Sequence, residues 1–518
     1  MSVPEAMPGL TAGAEPAPAA EGGAPRRASA LVVRNMLALV FSQFITTPVS
    51  MVVNAVLARS LGAADFGIIY FANTTLLVAF LFVEWGSQFL AGEVARNRAR
   101  AGELFGAAAL QRLVFAGVVL LAIPQASALL GYDERIKTVL LLCGARMAVG
   151  SIGTLCSAIF RGFEKLGWHA RTAVFGNVLE ASLLVPTLLL GGRLRAALIA
   201  QLVAASVTTL VQIALLLRLG MGRPQWRPRM IPGLLHGGLG FLILDLVVRL
   251  QPYVDATFLS KLARPEAMGW YSAASRIVGV LLFPATTLSF AIYPTISRLW
   301  AEDRPSYIAL VRLALRAVAM VGIFAATGTA LFANIPVNVI YGAERFGPAA
   351  ANLRILAVYV VLVYASIVLG IAIAAAKRQL RYAVAQSLCV VVSLILDPIL
   401  IPRFERLAGN GGVGVSTSVV VAEVAMVVAG VVLLPAGVVD RTLGTTLVRS
   451  LAAALGMGAV GFALRAFPFL ALPLSIAAYA WILRALGGLD AETLELLRDV
   501  FRRKRRATPA APQAGATG

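Results

Sequence analysis

Apolar residues along this chain gather into runs about as long as a bilayer is thick, separated by short polar turns. A helix needs roughly 20 apolar residues to cross the hydrocarbon core, and fourteen such spans fit between residues 35 and 486. The first two are expected at 35–58 and 67–91, the seventh and eighth at 233–259 and 270–296, and the final pair at 448–465 and 467–486. The alternation that marks barrel strands is absent. The pattern therefore predicts an all-α polytopic membrane protein. Interior prolines such as Pro48, Pro186 and Pro284 fit it, because neighbouring helices can satisfy the backbone groups they free.

The polar stretches divide the chain. Residues 1–30, rich in Ala, Pro and Gly, read as a disordered cytoplasmic tail. Six spans in 31–219 form one expected lobe, 220–232 a linker dense in Pro, Gly and Arg, and 233–436 a second lobe of six. Residues 437–486 add a helix pair, and 487–518 a basic tail. Within that tail Leu489, Thr493, Leu496 and Phe501 share a helical face ahead of a run of arginines. That pattern suits an amphipathic helix on an anionic leaflet; a solvated basic stop signal is the plainer alternative.

A repeat supports the two-lobe division. "LARSLGAADFGIIYFA", Leu57–Ala72, aligns with "LSKLARPEAMGWYSAA", Leu259–Ala274, at a constant offset of 202. Leu57 meets Leu259, Arg59 meets Lys261, Gly67 meets Gly269 and Ala72 meets Ala274. Six spans separate the copies, so both keep one orientation, as in a parallel repeat about an axis along the membrane normal.

Composition agrees: 59% of residues are hydrophobic and 14% charged, where soluble domains carry about a quarter charged. The net charge of +20 suggests a polyanion partner only until its distribution is mapped. With the N-terminus inside, 30 of the 45 Lys and Arg residues flank spans on the inner side and 12 on the outer side. The remaining three, Arg146, Arg249 and Arg276, fall within spans. That bias is the positive-inside rule, and no soluble basic domain exists to carry nucleic acid. Cys143, Cys156 and Cys389 sit in apolar segments and read as buried hydrophobes.

Charges inside spans are the candidate chemistry, since each costs roughly 2.5–3.5 kcal/mol to insert and normally faces a bundle interior or a wet cavity. In "LDLVVRLQPYVDATFL", Asp245 and Arg249 share a face at i, i+4, spaced to pair, and Asp255 lies nearer the outer end. One reading makes that pair a structural pin. The other has Arg249 and Arg276, with Arg146, line a cavity and hold an anion, while Glu84 and Asp245 handle a coupling proton or cation. Arg146, Glu180, Asp397 and Glu423 otherwise read as structural or interfacial. His169 and His236 are too few for a metal site, and no phosphate-binding loop or catalytic constellation occurs.

Several stretches together resemble a known family: "VLARSLGAADFGIIYFA", "EWGSQFLAGEVAR", "FRGFEKLGWHAR" and "VIYGAERFGPAAANLRIL". Across about residues 31–440 the chain is similar to the oligosaccharide flippases of the multidrug/oligosaccharidyl-lipid/polysaccharide exporter superfamily. The resemblance implies 12 or 14 helices in two six-helix lobes of a bacterial inner-membrane protein. It implies alternating access that carries a polyprenyl-pyrophosphate-linked oligosaccharide outward for polysaccharide biosynthesis. Arg249 and Arg276 would then hold the phosphates, with Asn54, Glu84 and Gln251 meeting sugar or tuning the site. No cofactor is implied beyond coupling to a proton or sodium gradient or to the membrane potential. Partners would be the lipid-linked oligosaccharide, membrane lipid, and glycan polymerase and glycosyltransferase enzymes, with both termini cytoplasmic. Rival readings are a drug/cation antiporter of the same fold, a membrane glycan polymerase or glycosyltransferase, and a non-transporting scaffold.

Overall fold

A computed structural model describes residues 24–488, all of whose regular elements are helical. The first half of the chain builds α1 (Ala24–Val83), α2 (Ser87–Arg96), α3 (Ala101–Leu129), α4 (Glu134–Gly162), α5 (Leu166–Leu189) and α6 (Leu194–Arg218). The second half begins with α7 (Ile231–Leu262), α8 (Pro265–Leu281), α9 (Phe283–Glu302) and α10 (Arg304–Leu331). The short α11 (Asn334–Tyr341) and α12 (Ala343–Phe346) lead to α13 (Ala349–Ala375), α14 (Gln379–Ala408) and α15 (Gly412–Leu433). A last pair, α16 (Arg441–Ala463) and α17 (Pro468–Ala485), closes the described chain. Of the two expected tails, residues 1–23 and 489–518 lie outside the described residues, and α1 already begins at Ala24.

Eleven of these helices are long and apolar enough to cross a membrane, or twelve when α8 and α9 count as one bent span. The protein is a multi-pass membrane protein. The expected count of fourteen and these eleven or twelve part at two places. The expected spans 35–58 and 67–91 fall largely in α1, which is two helices run together across a kink at Gly62, where φ is 84° and ψ 174°, and whose 60 residues are long enough to cross twice. That left-handed φ is open to glycine and strained for other residues. The expected span 467–486 is the shorter apolar helix Phe469–Ala485. The bend between α8 and α9 is 40° and precedes Pro284, which lacks the N–H that would continue the ladder.

Within the first half α1 packs on α4 and α5, α3 on α4, and α6 on both α4 and α5; within the second, α10 and α15 pack on α13, and α14 on α7 and α15. The halves join where α1 meets α7 and α8, and one continuous apolar core runs through both. A smaller cluster of Met320, Ile323, Ala453, Met457, Tyr479 and Leu483 ties α16 and α17 to α10.

The two matched stretches touch one another. Gly67 and Gly269 face each other: a Cβ on Gly67 would lie 2.6 Å from the Gly269 nitrogen, and one on Gly269 would lie 2.0 Å from the Ala63 carbonyl oxygen. Only glycine permits that approach. The matched Leu57 and Leu259 are both buried, as are Ala72 and Ala274. Arg59 donates to the carbonyls of Val339 and Ile340, and Lys261 donates to the carbonyl of Leu130 over the ring of Tyr132. A second glycine contact joins the halves at the opposite end, where a Cβ on Gly238 would lie 2.6 Å from the Gly86 Cα. Nineteen residues separate Gly67 from Gly86, about 28 Å of helix, close to the thickness of a hydrocarbon core. The halves thus touch near both membrane faces.

Candidate functional site

Between those contacts lies a cavity of about 420 Å³ whose lining includes Gln43, Ser50, Asn54, Asn177, Arg276, Phe283 and Tyr341. Residues from α1 and α5 of the first half supply most of its polar groups, and α8 of the second supplies its cation. Asn54 Nδ2 donates to the Ser50 carbonyl at 2.6 Å, and Ser50 Oγ donates to Asn177 Oδ1 at 2.8 Å. Tyr341, on α11, helps close one end by packing with Phe346 against Phe66, at ring-centroid distances of 5.4 to 6.0 Å.

Arg276 is the chemically loaded member of this lining. Its guanidinium stands 5.2 Å from the centroid of the Phe66 ring, and its buried Nε has no hydrogen-bond partner. It enters none of the ion pairs among the described residues. The charged side chains in its field are Glu180 from α5 and Arg146 from α4. Glu180 accepts from Gln201 at 2.7 Å, and Arg146 donates to Asn73 at 2.6 Å while its own Nε stays unpartnered. Two guanidinium groups against one carboxylate leave the chamber positive, with donors unspent. Such a fork is suited to phosphate oxygens.

The other named residues are scattered. Arg249 and Gln251, on α7, are half-buried and lie outside this cavity's lining. Asp245 is exposed and forms no ion pair with Arg249, although the i, i+4 spacing would allow one. The pairing that would make the expected structural pin is therefore not made here. Glu84 belongs to a different cluster toward Gly86. Its Oε1 accepts from Thr154 Oγ1 at 2.8 Å, and Arg112 donates to Thr154 at 2.9 Å and to Ser87 at 2.6 Å. Arg112 is only 2% exposed. On its position near the end of an apolar run it counted as an inner flank, and nothing in the sequence distinguishes it from a solvated one.

Asp255 gains a partner that spacing along the chain hides. It is 2% exposed and lies against Asp397 of α14, which is fully buried, with Ser393 and Ser418 beside them. Asp255 Oδ1, both Asp397 carboxylate oxygens and the two serine hydroxyls make no hydrogen bond of good geometry, although the carboxylates and serines stand close enough to act on one another. Asp397, expected to be structural, is thus half of a buried carboxylate pair. Two ionised carboxylates cannot share such a place without a proton or a cation. Among the described residues no three His, Cys, Asp or Glu side chains gather as a metal site.

Two helical halves meeting around a charged chamber define a transporter-type membrane fold, and solved structures bear out that class. The lipid II flippase MurJ in an inward closed conformation aligns over 90% of this chain and 99% of its own, with a TM-score of 0.70 at 13% identity. An inward-facing multidrug resistance transporter of the MATE family aligns over 77% of this chain and 97% of its own, with a TM-score of 0.62 at 15% identity. The chain belongs to the polysaccharide biosynthesis protein family, whose profile matches residues 32–300. It is also 22% identical over 273 residues to a protein of Escherichia coli (strain K12) provisionally named an O-antigen transporter. That match covers 51% of this chain and 65% of the relative's length.

Proposed function

We propose that this protein is a flippase that carries a polyprenyl-pyrophosphate-linked oligosaccharide across the bacterial inner membrane by alternating access. The observation that carries the reading is Arg276: a cation with unspent donors in a chamber between two halves that touch at both faces. A lipid-linked glycan presents a pyrophosphate that must pass a low-dielectric slab and a tail that can stay in lipid. The chamber meets the first need, with Arg276 on the phosphates, Arg146 adding positive field, and Asn54 on the flanking sugar.

The magnitude of the cavity adds a requirement. About 420 Å³ is near the lower end of ordinary ligand sites, enough for a diphosphate and little more than one sugar. A longer glycan demands that one of the two glycine contacts open while the other holds. The orphaned oxygens around Asp255 and Asp397 fit a proton or a hard monovalent cation, so a gradient is the natural source of coupling. Glycan polymerase and glycosyltransferase enzymes are the partners this reading implies, and the excess of Lys and Arg on alternate flanks supports cytoplasmic termini.

The test is surface glycan measured in cells carrying Arg276→Ala or Arg276→Lys at normal protein levels. Export is expected to fall at least about tenfold with Ala, as for loss of a buried charge-assisted contact, and to be partly kept with Lys. Normal export with Ala would overturn the reading. The second reading, a drug/cation antiporter, draws on the Asp255 and Asp397 pair. It predicts raised drug resistance on overexpression and indifference of that resistance to Arg276→Ala.

A further inference from the structure

A cleft of about 670 Å³ opens at the far end of the second half, away from the Arg276 chamber. Its lining includes Tyr293, Ser297 and Trp300 of α9, Arg304 at the start of α10, Lys377 in the turn after α13, and Gln379 at the start of α14. Arg298, Arg378 and Arg381 lie on the same end, the one that the Lys and Arg bias assigns to the cytoplasm.

The cleft is built rather than incidental. Arg304 stands 3.3 Å from the Trp300 ring centroid, and Trp300 packs edge-on against Tyr307 at 4.9 Å. Tyr307 is fully buried, and its hydroxyl donates to the Ala372 carbonyl at 3.0 Å, so the platform under Arg304 is anchored to α13. The acids on the rim are engaged elsewhere. Glu302 faces Arg298 at 3.8 Å, and Asp303 caps α10 by accepting from the Ser306 nitrogen at 3.1 Å. Arg304 and Lys377 enter no ion pair among the described residues. The Ser297 hydroxyl is buried without a partner.

Lys377 adds a backbone argument. Its φ is +58°, a left-handed conformation that disfavours a residue with a Cβ and that helix ends usually give to glycine. The turn between α4 and α5 uses Glu164 in the same conformation, but there the carboxylate pairs with Arg98 at 3.2 Å. Lys377 instead turns toward an open cleft.

We propose that this cleft binds the phosphate headgroup of an anionic membrane phospholipid, with Arg304 and Lys377 supplying charge and Ser297 and Gln379 supplying hydrogen bonds. Depth favours a lipid over a free phosphate. From Trp300 back to Tyr293 the lining follows seven residues of α9, about 10 Å of helix rise, into the membrane-crossing α8–α9 unit. Aromatic side chains such as Tyr293 and Trp300 favour the membrane–water interface, and basic pockets between spans on that side suit acidic headgroups.

The proposal is independent of what the protein transports and is tested by lipid retention. The full-length protein, purified with phosphatidylglycerol and phosphatidylcholine in equal amounts, is compared by native mass spectrometry with Arg304→Ala/Lys377→Ala. At about 1 kcal/mol for each cation near an acidic lipid, the double variant is expected to bind phosphatidylglycerol about 30-fold more weakly. An outer-face control losing the same charge, Arg193→Ala/Arg195→Ala, is expected to bind as the unchanged protein does. Lys377→Gly separates binding from folding: it relieves the left-handed strain, so it is expected to raise the thermal midpoint while weakening binding about fivefold. Undiminished retention in the double variant, an equal loss in the outer control, or displacement of the lipid by millimolar inorganic phosphate would each overturn the proposal.

Discussion

Substituting Gly269 with alanine puts a methyl group where the structure has no room for one. Its Cβ would sit 2.0 Å from the Ala63 carbonyl oxygen, whereas ordinary contact begins at 3.4 Å, so the two helices must part by about 1.4 Å. The obstacle is backbone on a helix end, which cannot rotate aside as a side chain would. Overpacking of this kind costs about 1–3 kcal/mol. If the Gly67–Gly269 contact closes the outer end, that cost falls only on conformations in which it is made. The balance then shifts toward outward opening by a factor of about 5–150. Asn54→Cys in the chamber reports this directly, because Cys143, Cys156 and Cys389 are all buried. The labelling rate with a membrane-impermeant maleimide added outside should rise with Gly269→Ala by a factor in that range. Gly67→Ala, whose Cβ would meet its neighbours at 2.6 Å, should have a smaller effect, and Gly117→Ala, which meets nothing within 4 Å, none. An unchanged rate in folded Gly269→Ala, or an equal rise in Gly117→Ala, would refute the gating argument.

Three further outcomes can be checked. Asp255→Asn or Asp397→Asn removes one of two carboxylates buried together, so each should keep or raise the thermal midpoint while abolishing any stabilisation by sodium or by acid; a midpoint still responsive to both would show that the pair does not bind the coupling ion. Arg112→Ala leaves Glu84 without its nearby cation and two hydroxyls without a donor, and should destabilise by about 3–5 kcal/mol in denaturation, as for breaking a buried charged cluster. Bonds from Ser306 hold the Asp303 carboxyl below the ordinary carboxylate range. Its cap on α10 is therefore in full force above about pH 4 and lost as pH falls through the lower folded value; Asp303→Asn should remove that part of the acid sensitivity, and an unaltered acid profile would count against the cap.

How legible the protein was varies residue by residue. Arg276 stood out because a cation inside an apolar run is costly and needs a reason, and Asn54 shares its chamber. Arg249 met the same criterion, yet its position on α7 leaves it outside that lining. Asp255 was visible as a charge in a span, but Asp397 lies 142 residues away, and nothing local links the two. Arg112 and Lys377 carried no signal at all: one resembled a flank, the other an ordinary loop lysine until its backbone conformation was known.

Sequence by itself determined that the chain is helical and membrane-spanning, and where its polar turns fall. Those properties follow from the free energy of placing each residue in lipid or water, which depends on short stretches and is summed along the chain. Only the tertiary structure decided that Gly67 would press against Gly269, that Asp255 would face Asp397, and that Arg276 rather than Arg249 would meet the chamber. Such pairings depend on how helices rotate and cross, and a helix turned by 100° exchanges one set of neighbours for another without changing a residue of its hydrophobic pattern.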